Sequence, residues 1–95
     1  PRLNDAPRWR DEEWDEFIRG AARSFAHMSG TCAMGTDPAD GAVVDAKGRV
    51  FGVEGLRIAD MSIAPVLVSG NTNATAMMIG ERIAQLIAAE RNDQV

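Results

Sequence analysis

One C-terminal segment constrains the fold of this chain more than any other: residues 73–90, NATAMMIGERIAQLIAAE. The spacing of its apolar residues predicts an α-helix, and the first half of that helix, which includes Met77, Met78 and Ile79, is apolar on nearly every side. The second half narrows to one apolar stripe, formed by Ile83, Leu86 and Ile87. A helix that is apolar all round at one end has to insert into a protein interior. The rest of the chain must therefore provide that interior or belong to a larger fold that does.

The residues upstream predict only a few further elements. Apolar side chains recur at helical spacing from Asp11 through Phe25 and predict a helix that ends at His27, after an extended lead-in over residues 1–10. The segments AVVD, GRVFGV and LRIAD (42–45, 48–53 and 56–60) predict short strands, with turns at residues 36–41 and at Lys47–Gly48. These elements are too few to enclose the apolar helix, and their strands have few partners. We therefore expect the chain to be part of a larger fold.

Composition narrows the classes of partner. The 95 residues make at most one small domain, and 14 acidic against 10 basic residues give a net charge of −4 without any Lys/Arg cluster. Nucleic acid is therefore not an expected partner. No apolar run approaches the ~20 residues that a membrane span needs. The single cysteine cannot form an internal disulfide, so a cytoplasmic location is expected.

Residues 27–35, HMSGTCAMG, contain the only histidine and the only cysteine. One His and one Cys fall short of the ligand set that a zinc site uses, so no metal site is expected. Cys32 could be a thiol nucleophile paired with His27, but a lone Cys among small residues also suits simple packing. His27 lies where the predicted helix meets a loop of small residues. Both a structural histidine and a proton acceptor near neutral pH are compatible with that position.

Two further segments carry polar residues at the ends of predicted elements. SGNTNAT, residues 69–75, precedes the apolar helix, where Ser, Thr and Asn commonly cap the first turn. One cap would suffice, and the N-terminus of a helix also suits an anionic ligand. Asp60-Met61-Ser62 follows a predicted strand, and ligands of open α/β folds bind outside the carboxyl ends of strands.

Taken in order, three stretches resemble the C-terminal end of the glucose–methanol–choline (GMC) family of FAD-dependent oxidoreductases: HMSGTCAMG, VVD, and VEGLRIADMSIAPVLVSGNTNATAMMIGERIAQLI. The likeness covers residues 14–88 and is greatest to the choline dehydrogenase and choline oxidase branch. It implies an α/β fold class, as an α+β fragment that holds the last strand and helix of a Rossmann-like FAD-binding domain and an edge of the substrate-binding domain. The implied division is the end of the substrate-binding domain in 1–26, an active-site loop with short strands in 27–55, and the C-terminal strand, loop and helix of the FAD-binding domain in 56–95.

The resemblance also implies a chemistry. Such enzymes oxidise an alcohol, here expected to be a primary one, to the carbonyl by hydride transfer to flavin N5. The residue matching His27 takes the hydroxyl proton, and the one matching Asn71 hydrogen-bonds the substrate oxygen. The implied FAD contacts are Asp60, Met61, Ser62, Thr72, Asn73 and Ala74.

The chain alone is not expected to be active. It has no Gly-x-Gly-x-x-Gly dinucleotide-binding motif, so the expected partners are a small-molecule alcohol and the remaining N-terminal part of the same enzyme, on a separate or cleaved chain. An alternative is a non-catalytic stand-alone interaction domain that retains a fragment of the fold. A further alternative is a thiol-dependent activity at Cys32.

Overall fold

The computed structural model describes residues 2–94, so Pro1 and Val95, at the outer ends of the first and last predicted segments, lie outside it. Within this range the chain forms two α-helices, α1 (Asp11–Ala21) and α2 (Asn73–Asp93). It also forms three short 3-10 helices, at Leu3–Arg8, Pro38–Asp40 and Met61–Ile63. The predicted start of the C-terminal helix is confirmed, and α2 continues past residue 90. The prediction of an extended lead-in is wrong over Leu3–Arg8.

Helix α1 begins where predicted and ends earlier than predicted. The Glu13 carboxylate accepts a hydrogen bond from the Arg10 amide (2.9 Å), and acidic residues fill the first turn, where the helix dipole favours them. The predicted continuation to His27 is wrong, because Ala22 is already extended and the Arg23 guanidinium donates to the Gly20 and Ala22 carbonyls. No residue of α1 is buried, so packing against a core does not stabilise further helical turns after Ala21.

The three predicted strands do not form within the described residues. Their segments make only isolated bridges: Met34 with Val44 (parallel), Val44 with Val50 and Arg49 with Arg57 (both antiparallel). The chain turns at Gly48, Gly52 and Gly55, all at positive φ, before two consecutive pairs can build a ladder. The predicted turns are confirmed. The Asp45 carboxylate accepts from the Lys47 and Arg49 amides in one, and Asp37 caps Pro38–Asp40 in the other.

The core is small and lies between α2 and the residues that precede it in the chain. Its buried members are Val44, Met61, Ile63, Ala64, Ile79 and Ile83. Only Ile79 and Ile83 come from α2, and they share the core with Met61 and Ile63 of the third 3-10 helix and with Val44. The Glu90 carboxylate ties the far end of α2 to Lys47 (3.3 Å) and to Arg57.

Much of the apolar surface is not covered by this chain. The radius of gyration is 19.7 Å, against about 13 Å for a compact domain of 100 residues. Met77 and Met78 of α2 are more than half exposed, and so are Phe25, Met28 and Leu67. An apolar surface of this extent is typical of a protein–protein or interdomain contact. No helix in residues 2–94 has both the length and the apolar character needed to cross a membrane.

Candidate active site

The loop after His27 runs alongside the segment that begins at Asp60. Alternate amides of the loop donate to successive carbonyls: Gly30 to Met61 (3.1 Å), Cys32 to Ser62 (2.8 Å) and Met34 to Ile63 (2.9 Å). Gly30 has a φ of +83°, and a Cβ there would lie 3.2 Å from the Ala64 carbonyl oxygen. Backbone hydrogen bonds therefore join the loop after His27 to the segment that begins at Asp60, although the two lie far apart in the sequence.

His27 is half-buried, and its ring is held by two contacts. Its Nδ1 lies 2.8 Å from the Thr72 Oγ1, and its ring centroid lies 4.8 Å from that of Phe25, with the ring planes at 67°. The preceding residue, Ala26, has a φ of +58°, which is uncommon for a residue with a side chain. Its amide donates to the Ser24 hydroxyl (3.2 Å). Because Nδ1 is engaged by Thr72, Nε2 is the ring nitrogen that remains available to a group outside this chain.

His27 and Asn71 line the same cleft, which has a volume of about 430 Å³. The other lining residues are Ser24, Phe25, Met28, Leu67, Val68, Ser69 and Gly70. The walls are mostly apolar, with an imidazole and a carboxamide among the few polar groups. That composition is typical of small-molecule sites, in which a few polar groups orient an otherwise apolar ligand.

Asp60, Met61 and Ser62 line a second cleft of about 370 Å³, together with Met28, Ser29, Thr31 and Ala76. The Asp60 carboxylate accepts hydrogen bonds from the Ser62 hydroxyl and from the Ser62 amide (2.8 Å). These two bonds, the hydroxyl first, hold the pKa of Asp60 below its ordinary value. Asp60 therefore caps the 3-10 helix Met61–Ile63 as a carboxylate rather than ending a strand. Met28 lines both clefts, so the two are adjacent.

Thr72 immediately precedes α2, and Asn73 and Ala74 are the first two residues of that helix. The first helical hydrogen bond runs from the Ala76 amide to the Thr72 carbonyl (2.8 Å), and no side chain of residues 2–94 caps the helix. Asn73 and Ala74 are exposed residues, and their backbone amides, like those of any first helical turn, have no acceptor within the helix. The contact between Thr72 and His27 was not predicted. Sequence spacing gives no signal for it, because both residues lie in loops.

Cys32 takes no part in either cleft. It is a half-buried free cysteine whose amide is bonded to Ser62, and among the described residues no hydrogen bond joins it to His27. The described residues contain no group of three or more His, Cys, Asp or Glu that could hold a metal ion.

The chain is similar to known oxidoreductase sequences over most of its length. A family model described as GMC oxidoreductase matches residues 1–80. Oxygen-dependent choline dehydrogenases from Escherichia coli and Cronobacter sakazakii are each 54% identical over 77 residues, which is 81% of this chain and 13% of theirs. Another from Escherichia coli is 51% identical over 80 residues, 84% of this chain and 14% of its own. The chain thus spans only a small part of the length of these relatives. It belongs to the GMC oxidoreductase family, as a C-terminal piece.

Proposed function

We propose that this chain supplies the proton acceptor, a hydrogen-bond donor and one flavin-binding wall of an FAD-dependent oxidoreductase that converts a primary alcohol to its carbonyl. The observation that carries the proposal is the shared cleft of His27 and Asn71, with His27 Nδ1 bonded to Thr72 so that Nε2 is left for the substrate. Family membership supports the same reaction class.

The residues around the second cleft fit one side of FAD. The uncapped amides of Asn73 and Ala74 offer donors and the positive end of a helix dipole, which suit the electron-rich edge of a flavin ring. The segment Asp60–Ser62 borders the adjacent cleft, where its backbone could contact the cofactor. The pyrophosphate and ribose contacts would come from elsewhere in the enzyme, because no dinucleotide-binding motif is present in this sequence.

The chemistry of this chain's residues follows from their types. His27 accepts the hydroxyl proton of the alcohol at Nε2, since an imidazole is suited to proton uptake near neutral pH. The Asn71 carboxamide donates an N–H to the alcohol oxygen as negative charge develops there, and it does so without changing its own charge. When bound, FAD would supply the acceptor for the hydride of the carbinol carbon.

The remainder of the enzyme would cover the exposed apolar surface of this chain. Met77 and Met78 on α2 would pack into the FAD-binding domain, which we place over residues 56–95 as the end of a Rossmann-like fold. Residues 1–26 would join the substrate-binding domain, and 27–55 would form the active-site loop between the two. The parts that this chain does not contain would come from the remainder of the enzyme.

Choline is the first alcohol to test, because the relatives named for this chain are choline dehydrogenases. The cleft that contains His27 has one aromatic ring, Phe25, and no carboxylate among its lining residues. A quaternary ammonium is recognised by aromatic faces and by negative charge. Recognition of such a group would therefore depend on residues outside this chain.

The test is anaerobic mixing of the complete enzyme with choline and a panel of other primary alcohols, followed by the visible spectrum of the flavin and by analysis of the product. We expect one bound FAD to be bleached and an aldehyde to form. The isolated 95-residue chain should neither bind FAD nor oxidise an alcohol. Failure of every alcohol to reduce the flavin of the complete enzyme would refute the proposal and favour the non-catalytic interaction domain.

A further inference from the structure

The hydroxyl of Thr72 makes an unusual contact for a residue at the start of a helix. A Ser or Thr in this position ordinarily accepts a hydrogen bond from an amide of the first helical turn. The Thr72 Oγ1 instead lies 2.8 Å from His27 Nδ1, and no side chain of residues 2–94 caps α2. The hydroxyl is therefore engaged by the imidazole rather than by its own helix.

We propose that Thr72 is a positioning residue, whose hydroxyl oxygen accepts a hydrogen bond from His27 Nδ1–H and so fixes the tautomer with a lone pair on Nε2. The inference rests on the proposed role of His27 as the proton acceptor. The tautomer of a histidine is set by the hydrogen bond that its other nitrogen makes. Once Nε2 has taken a proton, Nδ1 still carries its own hydrogen. The bond to Thr72 thus persists in both protonation states, without rotation of the ring or the hydroxyl.

The second neighbour of the ring cannot perform this selection. Phe25 packs at 67° to the imidazole and limits its tilt, but a phenyl ring gives little basis for distinguishing the two nitrogens. Among the described residues, Thr72 is the hydrogen-bond partner of the His27 side chain. A flip of the imidazole would exchange a nitrogen for a carbon beside the Thr72 hydroxyl and lose that bond.

The experiment compares Thr72→Val, which removes the hydroxyl at nearly constant volume, with Thr72→Ser, which keeps it. Thr75→Val is the matched control, since it makes the same change one turn into α2, at a residue whose side chain lines neither cleft. Each variant is made in the complete enzyme. The measurements are flavin content, the rate constant for flavin reduction, the dissociation constant of the alcohol, and the ¹⁵N spectrum of labelled histidine, with His27 assigned from the His27→Ala variant.

We expect Thr72→Val to lower the rate constant for reduction about tenfold, the low end of the loss that follows removal of the partner that orients a metal-ligating histidine. The dissociation constant and flavin content should not change, because Thr72 acts through His27. The ¹⁵N spectrum should show a protonated Nδ1 in the wild type and in Thr72→Ser, and a mixture of tautomers in Thr72→Val. Thr72→Ser should retain most of the rate.

Three results would overturn the inference. One is an unchanged rate in Thr72→Val while His27→Ala is strongly impaired, which would leave the proposed function intact. Another is a loss of flavin in Thr72→Val with Nδ1 still protonated as in the wild type, which would place the threonine in cofactor binding instead. The third is a wild-type spectrum with a protonated Nε2 and an unprotonated Nδ1, which would make the Thr72 hydroxyl a donor. A normal rate in His27→Ala would instead refute the proposed function itself.

Discussion

Replacement of Gly48 by alanine tests how the turn at Lys47–Gly48 packs beneath α2. Gly48 is buried, and its φ is +72°, in the left-handed region that L side chains rarely adopt. A Cβ at this position would lie 2.7 Å from the Ile58 carbonyl oxygen and 2.9 Å from the Ile83 Cδ1. The Ile83 methyl can move, but the Ile58 backbone is tied to the turn by its amide, which donates to the Gly48 carbonyl (2.9 Å).

The magnitude follows from three contributions. The left-handed conformation costs a residue with a side chain about 1–2 kcal/mol. The steric overlap with Ile58 and Ile83 adds about 1–3 kcal/mol. The lower conformational entropy of alanine in the unfolded chain offsets about 0.4–1 kcal/mol. The net loss of local stability is about 3 kcal/mol, which corresponds to an increase in hydrogen exchange on the order of 100-fold.

The assay is hydrogen exchange of the complete enzyme, read at the amides of Gly48 and Ile58, which donate to the Asp45 and Gly48 carbonyls. Gly52→Ala is the matched control, since its φ is +77° and no atom lies within 4 Å of the added Cβ. We expect it to cost only about 1 kcal/mol, from the backbone conformation. Equal acceleration in the Gly48 and Gly52 variants would refute the steric part of the reasoning.

Three further predictions concern the loop before His27, the end of α2 and the cleft. Ala26 has a φ of +58°, which a β-branched residue adopts less readily than glycine does. The melting temperature of the complete enzyme should therefore be considerably lower in Ala26→Val than in Ala26→Gly, and equal melting temperatures would contradict backbone strain at this position. The hydrogen bond from Lys47 holds the pKa of Glu90 below its ordinary value, so the stability that Glu90 contributes should be lost as the pH falls through that lowered pKa. Hydrogen exchange of the amides around Lys47, corrected for intrinsic rates, should accelerate at acid pH in the wild type and not in Glu90→Gln. Parallel pH profiles in the two proteins would contradict a stabilising role of the Glu90 carboxylate. Asn71→Leu should slow flavin reduction about 10²–10³-fold with flavin still bound, as expected for loss of a donor to developing charge. Ser69→Ala, in the same cleft, should have little effect, and similar rates in the two variants would contradict the role of Asn71.

The start of α2 and the two turns could be predicted from the sequence because they depend on local chemistry. The polar residues 69–73 precede an unbroken run of helix-compatible residues, and Asp37 and Asp45 cap turns that end in glycine. In each of these places the side chain that determines the backbone lies within a few positions of it.

The missing strands and the early end of α1 could not be predicted because they depend on what surrounds the chain. Alternating apolar residues around Val44 predict strands, but a strand also needs a partner, and glycines at positive φ turn the chain before a ladder can form. The apolar pattern that continues past Ala21 includes Phe25, which packs on His27 instead of on a helix face. Pattern alone does not distinguish these two uses of an apolar side chain.

The candidate site was predicted in part. The resemblance to the GMC family singled out His27 and Asn71, and the structure places both on one cleft. The contact of His27 with Thr72 was missed, because Thr72 was considered only as a helix cap or as a cofactor contact. Tertiary packing brings these loops together, and no spacing rule applies to residues so far apart in the sequence.

The most direct test of the central claim is the rate constant for flavin reduction in His27→Ala, measured anaerobically at saturating alcohol with the wild-type complete enzyme beside it. Loss of a general base should lower this rate constant about 10²–10⁴-fold, while the flavin content stays at the wild-type level. A rate constant close to that of the wild type, in a variant that still binds FAD, would contradict the assignment of His27 as the proton acceptor.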